Sequence, residues 1–176
     1  NKVPVTTLLL AGVAVGQFLT ALMSFMMILS DKDMVRITYW TLGSLAGKGW
    51  NPVLAISLPS ILCMIVIAFF ARDLNMLLTG EESAQSLGVD VEKTKIYILL
   101  LGTFITAIAV SVSGIIGFVG LIIPHIVRLL IGPDHRILIP ASALLGGIFM
   151  IFADTIARTL ISPIEIPVGI ITALCG

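Results

Sequence analysis

Long apolar runs separated by short polar clusters set the pattern of this chain of 176 residues. About 20 consecutive apolar residues cross a bilayer as a helix. Val5 to Ser30 carries no charge and meets that length, and its Gly12 and Gly16 have the small-xxx-small spacing that lets helices approach closely. Pro52 to Ala71 is a second span, whose Pro59 is tolerated where neighbours satisfy the freed carbonyl. Ile96 to Val127 contains no Asp, Glu, Lys or Arg, which is too long for one span and short for two. The cluster Ser113-Gly114-Ile115-Ile116-Gly117 is the natural place to turn, giving spans over Ile96–Ser113 and Ile116–Leu130. A fifth is expected from about Ile137 to Ile156, and a sixth begins near Pro167. The pattern predicts an all-α, polytopic membrane bundle with about five complete spans and the start of another.

Composition agrees and removes alternatives. Hydrophobic residues make up 58% of the chain and charged residues 11%, against about 25% charged in a soluble domain. Too few charges remain to cover a water-facing surface, so lipid must cover much of it. A net charge of zero argues against nucleic acid and against a polybasic tail. Cys63 and Cys175 lie in apolar runs without metal-ligand or CxxC spacing, and read as buried free thiols. No charged segment precedes the first apolar run, so a signal peptide is not expected. The chain opens at Asn1 and closes within IPVGIITALCG, where a helix ending mid-membrane would leave backbone groups unsatisfied, so it reads as a fragment of a longer chain, cut at both ends.

Alternating the loop sides puts Lys2, Arg72, Lys93, Lys95, Arg128 and Arg136 on one side and Lys32, Arg36, Lys48 and Arg158 on the other. The positive-inside bias places the 72–95 and 128–136 loops in the cytoplasm, and the 31–51 and 158–166 loops outside. Met34 to Leu45 is amphipathic, with Tyr39 and Trp40 suited to a short helix at the outer interface. The segment 75–89 reads as two short helices, the first stopped by Gly80 and the second by Gly88, with Glu81 and Glu82 at the positive end of the second. Leu77, Leu78, Ala84 and Leu87 are expected to be exposed there. Such a surface either meets a partner or folds back on its own bundle.

Candidate chemistry is sparse. His125 and His135 have no HExxH, metal-ligand or GxSxG context, and no phosphate loop is present, so neither a catalytic residue nor a metal site is expected. Asp154 is the one aspartate inside a predicted span, four residues before Arg158 on the same helix face. Two readings stand for Arg158: an i,i+4 ion pair near the interface, or a docking charge at the outer surface. Gly114, Gly117 and Gly120 have a spacing that suits close helix packing. Pro124 loosens the helix before His125 and Arg128, and Gly132-Pro133-Asp134 marks a turn.

GFVGLIIPHIVRLLIGPDHR, FADTIAR and EIPVGIITA, together with LNMLLTGEESAQSLGV and YWTLGSLAGKGW, resemble the FecCD family of ABC transporter permeases. That family imports iron-siderophores, haem and vitamin B12; the resemblance covers essentially the whole chain and implies that 1–176 is a single transmembrane permease domain, the C-terminal part of a longer chain. It implies a multi-pass permease of the bacterial or archaeal plasma (inner) membrane, paired as a homodimer or heterodimer on two cytoplasmic ATPase subunits. A periplasmic or lipoprotein binding protein delivers the cargo. ATP and magnesium belong to the partner, so the permease itself is not an enzyme and binds no cofactor. The resemblance makes 75–89 the pair of coupling helices that enter a groove of the ATPase, with Leu77, Leu78, Gly80, Glu81, Glu82, Ala84, Leu87 and Gly88 as coupling residues. Arg158 matches an outward arginine that, in the vitamin B12 importer, meets an acidic residue of the binding protein. The pathway is implied to run along the span matching Val5–Ser30, with Thr20 and Ser24 in its lining. An iron-siderophore is the expected cargo, because most of the family serves one. An ion-coupled secondary transporter is the main alternative, and a purely structural subunit of a membrane complex is another.

Overall fold

The computed structural model describes residues 5–29, 34–161 and 165–176, and all regular structure among them is helical. By packing, the chain divides after Tyr39 into two units. Lys2, Lys32 and the 162–164 part of the predicted outer loop lie outside the described residues.

The first unit contains α1 (Val5–Leu29) and most of α2 (Met34–Thr41). At a rise of about 1.5 Å per residue, 25 residues are long enough to cross the hydrocarbon. The hydroxyls in its second half are satisfied within the helix. Thr20 donates to the Gly16 carbonyl and Ser24 to the Thr20 carbonyl, each at 2.9 Å. Gly12, Gly16, Thr20 and Ser24 therefore form one i,i+4 row of small side chains.

The second unit contains α3 (Trp50–Phe69), α4 (Ala71–Leu77), α5 (Glu81–Ser86), α6 (Val91–Ser113), α7 (Val119–Ile131), α8 (His135–Thr159) and α9 (Val168–Leu174). With α1, the helices α3, α6 and α8 are long and apolar enough to cross a membrane. α3 packs on α6, and α8 touches α3, α4, α7 and α9. Ile123 and Val127 bury against Leu138 to join α7 to α8, while Ala153 and Ala157 bury against Val168 and Ile171 to join α8 to α9. Cys63 is buried as expected, but Cys175, at the C-cap of α9, is exposed.

α7 forms where the fourth span was predicted but has 13 residues, about 20 Å and well short of the hydrocarbon thickness. Both ends have a cause. Gly114 (φ +72°) leaves the helical path and the Ile115 N–H binds the Trp40 carbonyl at 3.3 Å, so residues 114–117 cannot begin a helix. Phe118, at φ 66°, is the cap before Val119, and Gly132, at φ +91°, ends the helix after Ile131.

Two ends of this unit gather different loops. At one end, Ser44 N–H binds the Ser113 carbonyl at 2.8 Å, Gly169 N–H binds Gly43 at 3.3 Å and Ile166 N–H binds Ala157 at 3.1 Å. A Cβ on Gly114 would collide with the Trp40 carbonyl, and one on Gly169 with the Leu42 carbonyl. The three crossing chains meet there because these two positions carry no side chain. The opposite end holds α4, α5, the start of α6 and the Gly132–Asp134 turn. Within this unit, Arg72, Lys93, Lys95, Arg128 and Arg136, predicted to share a side of the membrane, therefore share an end.

Candidate functional site: a two-helix hairpin held against a spanning helix

The hairpin begins without a loop. α3 stops at Phe69, Phe70 adopts φ −80° and ψ −2°, and α4 starts at Ala71, four residues earlier than the predicted turn at Asn75. α4 then unwinds through tight three-residue bonds, Leu78 N–H to Asn75 at 3.2 Å, Thr79 N–H to Met76 at 3.1 Å and Gly80 N–H to Leu77 at 3.1 Å. Gly80 reverses the chain at φ +108°, ψ +151°, a conformation essentially reserved for glycine. Its carbonyl accepts from Ala84 N–H at 3.0 Å, which starts α5 with Glu81 and Glu82 in the first turn.

α5 closes with a Schellman motif. Val89 N–H reaches the Ala84 carbonyl at 3.0 Å and Gly88 N–H the Gln85 carbonyl at 2.9 Å, with Gly88 at φ +89°. Asp90 then caps α6, its carboxylate accepting from Lys93 N–H at 3.2 Å and pairing with the Lys93 ammonium at 2.7 Å. Those two bonds hold the Asp90 carboxyl below the usual carboxylate range. Glu81 and Lys95 pair at 2.5 Å and tie α5 to the first turns of α6.

The hairpin has a small core of its own. Ala84 is wholly buried with Val89 and Val91, and Met76 and Leu77 pack against them. This corrects the expectation that Leu77 and Ala84 are displayed: both face inward, because α5 is only six residues long and its single buried side chain must seat it on α4 and α6. Leu78 (52%) and Leu87 (64%) are the exposed apolar positions. Between α4, residues 87–90 and α6 lies a polar hollow of about 430 Å³ whose lining includes Arg72, Asp73, Asp90, Lys93 and Tyr97.

A second set of bonds fixes the hairpin to the start of α8. Asn75 Nδ2 donates to Asp134 Oδ1 at 2.6 Å, and Asn75 Oδ1 accepts from His135 N–H at 2.8 Å and lies 2.9 Å from His135 Nδ1. The same Asp134 oxygen caps α8 by accepting from Arg136 N–H at 3.0 Å. The Arg136 N–H and then the Asn75 amide hold the Asp134 carboxyl below its ordinary range. Sequence reading took Asp134 as part of a turn and did not find this contact. Its one available signal was Asn75, a polar residue between Leu74 and Met76 in an otherwise apolar stretch.

The remaining candidates lie apart from this end. Arg158 Nε donates to Asp154 Oδ2 at 2.8 Å near the opposite end of α8, with Arg158 42% and Asp154 23% exposed. The ion pair is formed, and the described residues leave part of the Arg158 side chain uncovered. The three-glycine helix face is not formed. Gly114 and Gly117 precede α7, Gly114 packs against Trp40 and Gly43, and a Cβ on Gly117 or Gly120 would meet nothing within 4 Å among the described residues. Pro124 lies inside α7, one residue before His125. Thr20 and Ser24 are in the first unit.

Apolar helices of spanning length, with a polar two-helix hairpin seated at one end, define an integral membrane protein of the polytopic helical class. A sequence model of the FecCD transport family matches residues 1–176, and the chain belongs to that family. It is 50% identical over 98% of its length to the cobalamin import system permease protein BtuC of Halobacterium salinarum, covering 46% of that protein. It is 42% identical over 96% of its length to the hemin transport system permease protein HmuU of Yersinia pestis, covering 49%. A solved inward-facing structure assigned to the metal-chelate type of ABC transporter superposes with a TM-score of 0.88 at 35% identity, over 98% of this chain and 56% of that one. The chain thus spans about half the length of the curated relatives it matches.

Proposed function

We propose that this chain supplies about half of a permease subunit in an ATP-driven importer of a chelated metal, in the plasma membrane of a bacterium or archaeon. The hairpin carries the reading. It is a rigid, internally packed pair of helices at one end of the spanning bundle, displaying Leu78 and Leu87 with Glu81 and Glu82 beside them. A solvent-facing segment with its own core and two outward leucines is built to enter a partner's groove. Arg72, Arg128 and Arg136 accompany it at that end, which the positive-inside bias makes cytoplasmic. The partner is the ATPase. Its closure on ATP moves the hairpins of two permease copies, and that motion changes which side of the permease interface is open. Thr20 and Ser24 lie along the passage, and Arg158 faces the binding protein at the outer end.

The cargo is a metal chelate. An iron-siderophore was expected from the sequence, while the relatives named for cobalamin and hemin raise those two chelates alongside it. Uptake of each by the reconstituted importer decides among them.

A secondary transporter would need an uncommitted acid within the spans. Beyond the first turns of the described spanning helices the one acid is Asp154, and it is engaged by Arg158. Co-purification discriminates the readings: an importer permease retains a nucleotide-binding subunit, and Glu82→Lys or Gly80→Pro uncouples uptake while the protein stays in the membrane. Uptake driven by sodium or protons without an ATPase would sink the proposal.

A further inference from the structure

Two hydrogen bonds, Asn75 Nδ2 to Asp134 Oδ1 and His135 N–H to Asn75 Oδ1, together with the 2.9 Å approach of His135 Nδ1, join elements 59 and 60 residues apart in sequence. They differ from the other ties of the hairpin. The Glu81–Lys95 pair and the Ala84 cluster fix the hairpin to α6, its own continuation, whereas Asn75 fixes it to α8. α8 is 25 residues long, about 37 Å, and is anchored at both ends. Its first turn is capped by the same Asp134 oxygen that Asn75 holds. Near its last turn, the Ala157 carbonyl accepts from Ile166 N–H, and Ala153 and Ala157 are buried against α9. Asp154 and Arg158 are carried on the same rod.

We infer that Asn75 is a positioning residue which locks the hairpin to α8, so that a displacement of the hairpin is delivered along α8 to the end that carries Arg158. This rests on the proposed role of the hairpin and adds the route by which its motion leaves it. α4 also packs on α8, and packing without directional bonds would by itself allow the one to slide over the other. Two directional bonds to a helix cap do not permit sliding without being broken. The charge-assisted bond to Asp134 is the stronger of them. The amide is also matched to its task, with one atom that donates to a carboxylate and another that accepts from a backbone N–H.

The test uses the complete importer, reconstituted in vesicles with its ATPase and binding protein, and reads cargo molecules transported per ATP hydrolysed. Loss of folded complex scales both numbers equally and leaves that ratio unchanged; loss of coupling lowers it. Asn75→Asp sets two carboxylates against each other, and Asn75→Ser withdraws the amide without adding charge. Each should lower the ratio about fivefold or more, the lower end of coupling between distant sites. If Asn75→Asp and Asn75→Ser both transport as much per ATP as the parent, the inference is overturned. A parent protein that retains no ATPase refutes the proposed function itself, a result visible before any variant is made.

Discussion

Asn75 in α4 and Asp134 at the cap of α8 hold each other at 2.6 Å, and Asp134 uses the same oxygen to start the helix. The seating of the hairpin and the initiation of α8 are therefore one structural event. Both bonds favour the ionised carboxylate, so its folded pKa lies below that of the unfolded chain. The stabilisation is then complete above the unfolded value of about 3.9 and is lost as pH falls through the lower folded value. The melting temperature of purified protein should exceed that of Asp134→Asn at about pH 5, and the gap should shrink below about pH 4. A gap that widens on acidification would contradict this sign.

Ala84 is buried and Leu87, three residues on, is exposed, which separates hairpin stability from partner contact. Ala84→Leu overpacks a site with no free surface and should destabilise the protein by about 1–3 kcal/mol. Leu87→Ser, at an exposed position, should stay within about 0.5 kcal/mol of the parent yet weaken retention of the ATPase. Thermal melting and co-purification measured on the same two variants give the pattern. Loss of ATPase by Ala84→Leu at full stability would show that the buried cluster is misassigned.

Much of this was legible because periodicity is a local property. Glu81 and Glu82 after Gly80, and Gly88 after Leu87, mark helix ends by their own chemistry, and both stops stand where they were read. Local pattern could not decide which leucine or alanine faces in. That depends on where α6 returns, and Val89 and Val91 claim Ala84 only once Asp90 has turned the chain. The same limit hid the partnership of Asn75 with Asp134, and it made Gly114 look like part of a helix face. Its spacing to Gly117 and Gly120 fits a helix, but the strand of chain that crosses it comes from Trp40, 74 residues away.

That crossing makes the glycines unequal. Gly114→Ala combines a left-handed backbone with a collision against the Trp40 carbonyl, and the strained backbone alone costs about 1–3 kcal/mol. Gly117→Ala has open space and an ordinary φ, and Gly120→Ala replaces glycine inside α7, where alanine is favoured by about 1 kcal/mol. Expression in the membrane and melting temperature should fall for Gly114→Ala alone. A comparable loss for Gly120→Ala would mean that α7 packs closely against a further helix of the complete permease.

Asp154 and Arg158 provide the sharpest test at the other end of α8. An i,i+4 pair of this exposure is worth about 0.3–0.5 kcal/mol at most, so neither residue is there chiefly for stability. If the pair were all that mattered, Asp154→Asn and Arg158→Gln would behave alike. Docking to an acidic residue of a binding protein predicts a difference in sign. Arg158→Gln removes the attracting charge and should weaken binding-protein affinity about tenfold or more, within the range for one charge at such an interface. Asp154→Asn releases the guanidinium from its internal partner and should leave affinity unchanged or raise it. Affinity measured on vesicles at low and high salt checks this, since a charge contact should fade with added salt and a packing effect should not. Equal losses from the two variants would remove Arg158 from the docking surface.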